Sequence, residues 1–113
     1  MKRSKYRAVR TPVVDPKTGK TITFASKAEA KRFLELRLLE RAEEINRLEL
    51  QPEYPCVVEG EHICTYRADF RYFDKGNRRV VEDVKGVRTP EYRLKKALVE
   101  ALYRGTKIVE VKA

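Results

Sequence analysis

Asp83 and Lys85 stand two residues apart in Val80-Val81-Glu82-Asp83-Val84-Lys85-Gly86, a run that reads as a β-strand closed by a glycine. Side chains alternate across a strand, so the acid and the lysine project from one face. A second acid, Asp69, lies fourteen residues upstream in another strand-like run. Two carboxylates and a lysine on one face can hold a divalent cation beside a phosphate. Carboxylates are hard oxygen ligands and suit Mg²⁺ or Mn²⁺. Such an ion polarises a phosphodiester and lowers the pKa of a bound water. The lysine can orient that water or stabilise charge building on the phosphoryl oxygens. The chemistry these residues suit is phosphodiester hydrolysis. Nucleophilic catalysis has no comparable signal, because no serine, cysteine or threonine has a base at a recognisable spacing and His62 is the only histidine.

Asp83 and Lys85 share their face with Val81, while Val80, Glu82 and Val84 share the other. An acid in an apolar strand costs desolvation unless it has a partner or a metal. Asp83 is in phase with Lys85; Glu82 is the alternative ligand, since one bulge would exchange the two. Along the strand that holds Asp69, one face carries Cys64, Tyr66, Ala68, Phe70 and Tyr72 and reads as core. The other carries Thr65, Arg67, Asp69 and Arg71, where a phosphate could sit among the arginines. A solvated face of weak ion pairs, each worth about 0–1 kcal/mol, is the competing reading.

Several elements must position these groups. Pro12-Val13-Val14 and Thr21-Ile22-Thr23-Phe24 flank a turn at Asp15-Pro16-Lys17-Thr18-Gly19 and predict a small hairpin. Ser26 and Glu29 have capping-box spacing at the start of a helix. Ala30, Phe33, Leu34 and Leu38 form its apolar stripe, and Leu36 and Leu39 fall outside it. Apolar residues on more than one side predict two neighbours, the sheet and a second subunit, so a homodimer is one expectation. Leu48, Leu50 and Gln51-Pro52 mark a short strand. Tyr54–Val58 and Ile63–Phe73 make a hairpin around Glu59-Gly60-Glu61-His62, and Lys75-Gly76-Asn77 turns into the strand Arg79–Val84. Thr89-Pro90-Glu91 opens a second helix with Leu94, Ala97, Leu98, Ala101 and Leu102 as its core stripe and Gly105 as its cap. Thr106–Val111 is a final strand, and the strand–helix–strand order implies a parallel crossover. The whole is an α/β chain, with a hairpin preceding α, β, β, β, α, β.

At 113 residues the chain suits one domain: a basic arm at 1–10, then a single domain at 11–113. A formal net charge of +9 favours a polyanionic partner, nucleic acid first. The arm holds Lys2, Arg3, Lys5, Arg7 and Arg10 with no acid, so Lys5 and Arg7 are candidate phosphate contacts. Arg88, Tyr92, Arg93 and Lys96 cluster near the start of the second helix, whose N-terminus favours anions. They could track a nucleic-acid backbone, with Tyr92 available for stacking; a solvated basic face is the alternative. No apolar run approaches a membrane span, and no apolar region follows the basic N-terminus, so no membrane association and a cytoplasmic location are expected. Cys56 and Cys64 are expected as free thiols in a reducing compartment. With His62 they supply only three ligands, against the four of a usual zinc site.

Asp69 followed by Asp83-Val84-Lys85, in an αβββαβ order, resembles the PD-(D/E)xK nuclease superfamily. Within it the chain is similar to a small group of phage and prophage proteins catalogued as a domain of unknown function. The matching segments are Ser26-Lys27-Ala28-Glu29-Ala30, Leu50-Gln51-Pro52, Ala68-Asp69-Phe70 and Val81-Glu82-Asp83-Val84-Lys85-Gly86. The resemblance covers most of the chain after the arm, and Ala68 replaces the frequent proline before the first acid. It implies a restriction-endonuclease-like core, a mixed sheet with flanking helices. It also implies metal ligation by Asp69, Asp83 and the backbone carbonyl of Val84, with Lys85 as catalytic lysine. Glu29 matches the helix glutamate that joins the site in resolvase-like and transposon-end-cleaving members, which favours it as a ligand, with its capping-box position giving the alternative reading of a helix cap. Gln51 is expected near the site, although edge-strand chemistry explains it as well. The expected activity is a Mg²⁺- or Mn²⁺-dependent DNA endonuclease in phage DNA processing or recombination, a Holliday-junction-resolvase-like enzyme being one version. A non-catalytic nucleic-acid-binding module and an RNA-processing enzyme are the alternatives.

Overall fold

The computed structural model describes residues 9–113. The arm residues Lys5 and Arg7 therefore lie outside the described residues. The first hairpin pairs β1 (Thr11–Val14) with β2 (Thr21–Phe24). Its turn is organised by Asp15, whose carboxylate accepts from the Lys17 amide at 2.9 Å and the Thr18 hydroxyl at 3.2 Å.

Helix α1 (Lys27–Arg41) starts where Ser26 caps it, its hydroxyl accepting from the Glu29 amide at 3.1 Å. Its buried residues are Ala30, Phe33 and Leu36. Leu34 and Leu38 were expected in the stripe and are exposed instead. Two arginines explain the rotation. Arg37 forks onto the buried Asp15 at 2.9 and 3.0 Å, and Arg32 reaches into the sheet. Holding both turns the line Ala30–Phe33–Leu36 inward.

Five strands follow α1: β3 (Ile45–Leu50), β4 (Glu53–Val58), β5 (Glu61–Arg67), β6 (Phe70–Asp74) and β7 (Arg79–Lys85). Then come α2 (Pro90–Leu102) and β8 (Ile108–Lys112). The main sheet has the order β3-β6-β7-β8, antiparallel across its first three strands and parallel between β7 and β8. It is thus an α/β chain with a mixed four-stranded sheet and two helices. β4 and β5 form a separate ladder, closed by a two-residue turn with Glu59 at φ 52° and Gly60 at φ 82°. Positive φ at both central residues is the hairpin geometry that matches strand twist.

The run expected as one strand from Ile63 to Phe73 is broken at Ala68-Asp69. Across the break the Gln51 amide donates to the Asp69 carbonyl at 2.9 Å, and the Ala68 amide donates to the Pro52 carbonyl at 3.1 Å. The break divides the core. Tyr66 and Ala68 join Tyr54, Cys56, Val81, Tyr92, Val99 and Ile108 beside α2. Phe70 and Tyr72 join Phe24, Ala30, Phe33, Leu36 and Ile45 beside α1. The alternation predicted these residues as core but assigned them to one face rather than two.

Thr89 caps α2, accepting from the Tyr92 amide at 3.1 Å, with Pro90 in the first turn. The inward residues are Tyr92 and Val99, with Leu98 and Tyr103 packed beside them. Leu94, at 70% exposed, and Ala97, Ala101 and Leu102 face outward, contrary to the expected stripe. The helix turns instead on its tyrosines: Tyr92 reaches the site, and Tyr103 packs edge-on against Tyr54 and donates to the Pro55 carbonyl at 2.6 Å. Gly105, at φ 84°, lies two residues past the capping residue Tyr103. No helix among the described residues is long and apolar enough to cross a membrane.

Candidate metal centre

The strand break places Asp69 beside the end of β7. Its amide donates to the Glu82 carbonyl at 3.1 Å, and its carboxylate accepts from the Val84 amide at 2.7 Å. The break therefore ties Asp69 to β7 from two sides. Asp83 leaves β7 on the face of Val81, towards α2 and the β4–β5 hairpin, and is 3% exposed. It accepts from the Tyr66 phenol, and Lys85 Nζ lies 3.6 Å from its Oδ2. Burial pushes the Asp83 carboxyl up to about 7, and hydrogen bonding with Asp69 adds to the rise while Tyr66 opposes it. Burial raises Asp69 as well, with the Val84 amide opposing. The two carboxyls thus act on each other: Asp69 helps to raise Asp83, while Asp83 holds Asp69 down.

Lys85 rests 4.2 Å above the Tyr92 ring centroid, a cation–π contact that fixes the ammonium beside Asp83. Tyr92 is buried and donates to Glu110 at 2.8 Å. It is therefore a floor beneath Lys85 and offers no open ring for a base to stack on. Thr65, Tyr66, Arg67, Lys85, Thr89, Glu91, Tyr92 and Lys95 line an open cavity of about 380 Å³ that gives Lys85 access to solvent.

Glu82 points the opposite way, as alternation required, and is 2% exposed. Arg32 grips it with two bonds of 2.8 and 2.7 Å, and the Tyr72 phenol also donates to it. Glu82 is accordingly an ion-pair anchor between α1 and the sheet, which removes it as the alternative ligand. Arg32 escaped the sequence reading. The available signal was Glu82 itself, since a buried carboxylate demands a cation, but the helix offered several cations at compatible spacing.

Glu29 has the cap geometry, its carboxylate accepting from the Ser26 hydroxyl at 3.3 Å. Its charge nevertheless reaches Asp69, where it helps to raise the carboxyl. Gln51 is exposed, at φ 50°, and its backbone is bonded across the break from Asp69. Val84 meets Asp69 through its N–H. The expected arginine-lined face does not form, because the break separates its members. Arg67 pairs with Glu53 at 3.0 Å, and Arg71 pairs with Glu49 at 2.6 Å while bonding the Tyr54 hydroxyl. Arg88 pairs with Glu110 at 3.1 Å and Lys96 with Glu100 at 3.1 Å, while Arg93 is exposed.

The donor set suits a hard divalent cation in part. Asp69 and Asp83 are adjacent oxygen donors whose buried charges repel, and a cation between them would relieve that repulsion. Among the described residues no group of three His, Cys, Asp or Glu side chains converges as a metal cluster. A protein-family model described as Protein of unknown function (DUF1064) matches residues 3–113. No curated protein and no solved structure gives a match.

Proposed function

The chain belongs to the DUF1064 family along almost its whole length, and we propose that it is a divalent-metal-dependent DNA endonuclease with a restriction-endonuclease-like core. The observation that carries the reading is the meeting of Asp69, Asp83 and Lys85 at the break between β5 and β6. The element order α1-β3-β6-β7-α2-β8, with the β4–β5 hairpin inserted, is compatible with the αβββαβ core. Asp69 and Asp83 would hold Mg²⁺ or Mn²⁺, and Glu29 is the candidate third carboxylate. When bound, the ion would polarise the scissile phosphate and lower the pKa of its water. The protein's own residues do the positioning. The Val84 amide fixes Asp69, the Tyr66 phenol fixes Asp83, and the Tyr92 ring supports Lys85. Lys85 is the electrostatic group that faces charge developing on the phosphoryl oxygens. DNA as substrate is supported by the net charge of +9. A role in phage DNA processing or recombination, including junction resolution, rests on the superfamily resemblance.

One observation favours a second reading, a nucleic-acid-binding module without catalysis: among the described residues no third carboxylate joins Asp69 and Asp83 as a metal cluster. Incubation with supercoiled plasmid, branched DNA and RNA, in EDTA and then in Mn²⁺, separates the two. Metal-dependent nicking of DNA supports the endonuclease. Binding without cleavage of any substrate would leave the module, and cleavage of RNA alone would redirect the substrate class.

A further inference from the structure

Cys56 and Cys64 take no part in the proposed reaction, yet they face each other directly across the β4–β5 ladder. Both are free thiols. Residues directly opposite in an antiparallel ladder stand about 4.5 or 5.5 Å apart at Cα, depending on whether the pair is hydrogen-bonded. A disulfide requires roughly 4.4–6.8 Å. Either kind of pair therefore meets the Cα requirement, and the Cβ atoms, about 4.5–5.5 Å apart in such pairs, need only a small approach to reach the roughly 3.5–4.5 Å of a disulfide. Opposite residues also share a face: Cys56 lies inside the core cluster beside α2, and Cys64 packs against it, partly exposed. Zinc is a poor fit for the pair, because His62 is exposed and bonded to the Thr65 hydroxyl at 2.8 Å.

The position of the pair gives the bond a consequence. The register shifts between Cys56 and Val57, immediately beside it. A slip of one residue would turn every side chain of β5 to the wrong face. Tyr66, two residues beyond Cys64, would then leave Asp83.

We propose that Cys56 and Cys64 form a dithiol–disulfide site, oxidised by a low-molecular-weight or protein disulfide, whose closed form staples the β4–β5 hairpin in its observed register. Cys64 is the accessible partner, and burial pushes the Cys56 thiol up. The Cys64 thiolate attacks one sulfur of the incoming disulfide and releases one thiolate, leaving a mixed disulfide. The Cys56 thiolate then attacks the Cys64 sulfur and releases the second. Two protein thiols lose two protons and two electrons, and the reagent gains both as two thiols. The inference is independent of nuclease activity.

The test equilibrates the full chain with oxidised or reduced glutathione, quenches in acid, unfolds, alkylates and weighs the intact protein. After oxidation the chain should be a monomer lighter by two hydrogens that takes up no alkylating agent. Its melting temperature should exceed that of the reduced form by roughly 5–15 °C. Cys64→Ser should show no such rise in oxidised glutathione. The proposal is overturned if both thiols remain alkylatable, if glutathionylated Cys64 is the end product, or if the bond joins two chains. An internal disulfide that leaves the melting temperature unchanged or lower would overturn the staple.

Discussion

At the residue scale, Asp83 is an acid whose environment works against its charge. In the unfolded chain its proton leaves near pH 4. In the folded, metal-free protein it leaves at about 7. Between those values the folded state holds more protons than the unfolded one, so this group's contribution falls as pH rises through the window and levels off above it. Asp83→Asn should therefore stabilise the metal-free protein by on the order of 2 kcal/mol at pH 8 and by little at pH 4, read from urea unfolding at both. A variant less stable at pH 8 would mean that burial of the charge is compensated in a way this geometry lacks. Glu82 is buried too, but it has its cation. Arg32→Met strands a buried carboxylate and should cost about 3–5 kcal/mol at pH 7 in the same assay; a loss below about 1 kcal/mol would show that the ion pair is not what anchors α1. Asp69, Asp83 and Lys85 were legible in the sequence by type and phase. Arg32, Tyr66 and the floor role of Tyr92 were not, since each depends on a contact between distant segments.

At the element scale, caps and turns were readable because they are local chemistry. Ser26 and Thr89 cap the helices they were expected to cap. Helix faces were less readable, because polar anchors outweighed the apolar stripes. Arg32 and Arg37 rotate α1, and Tyr92 and Tyr103 rotate α2. The consequence for α2 is testable by denaturation. Val99, fully buried, should cost about 2–3 kcal/mol when cut to alanine, whereas Leu94→Ser should stay within about 0.5 kcal/mol of the parent. A large loss at Leu94 would mean that this face of α2 is covered in solution. The break at Ala68-Asp69 was invisible to alternation, because nothing in residue type interrupts the period. Its signal lay on the facing segment, where Pro52 lacks an amide donor.

At the scale of the whole molecule, several basic side chains near the site pair with acids, so the proposed phosphate affinity would come from the cations in excess of the acids, those of the basic arm among them. Removing residues 1–10 takes away five cations. It should flatten the dependence of log affinity on log salt by about 2–4, measured by DNA binding in EDTA across a salt series. An unchanged slope would mean that the arm makes no phosphate contact. The order of strands and helices was largely legible from turn residues and periodicity, and the parallel β7–β8 pairing followed from the crossover. The division of the core into two clusters was not, because it arises only when the strand breaks.

The central claim, that Asp69, Asp83 and Lys85 hydrolyse phosphodiesters with a divalent cation, is tested most directly by single-turnover cleavage of supercoiled plasmid in Mn²⁺ at saturating protein. Lys85→Ala and Asp83→Ala should each lower the rate by about 10²–10⁴-fold while DNA affinity in EDTA stays within about threefold. Cleavage at the parent rate by either variant would contradict the claim.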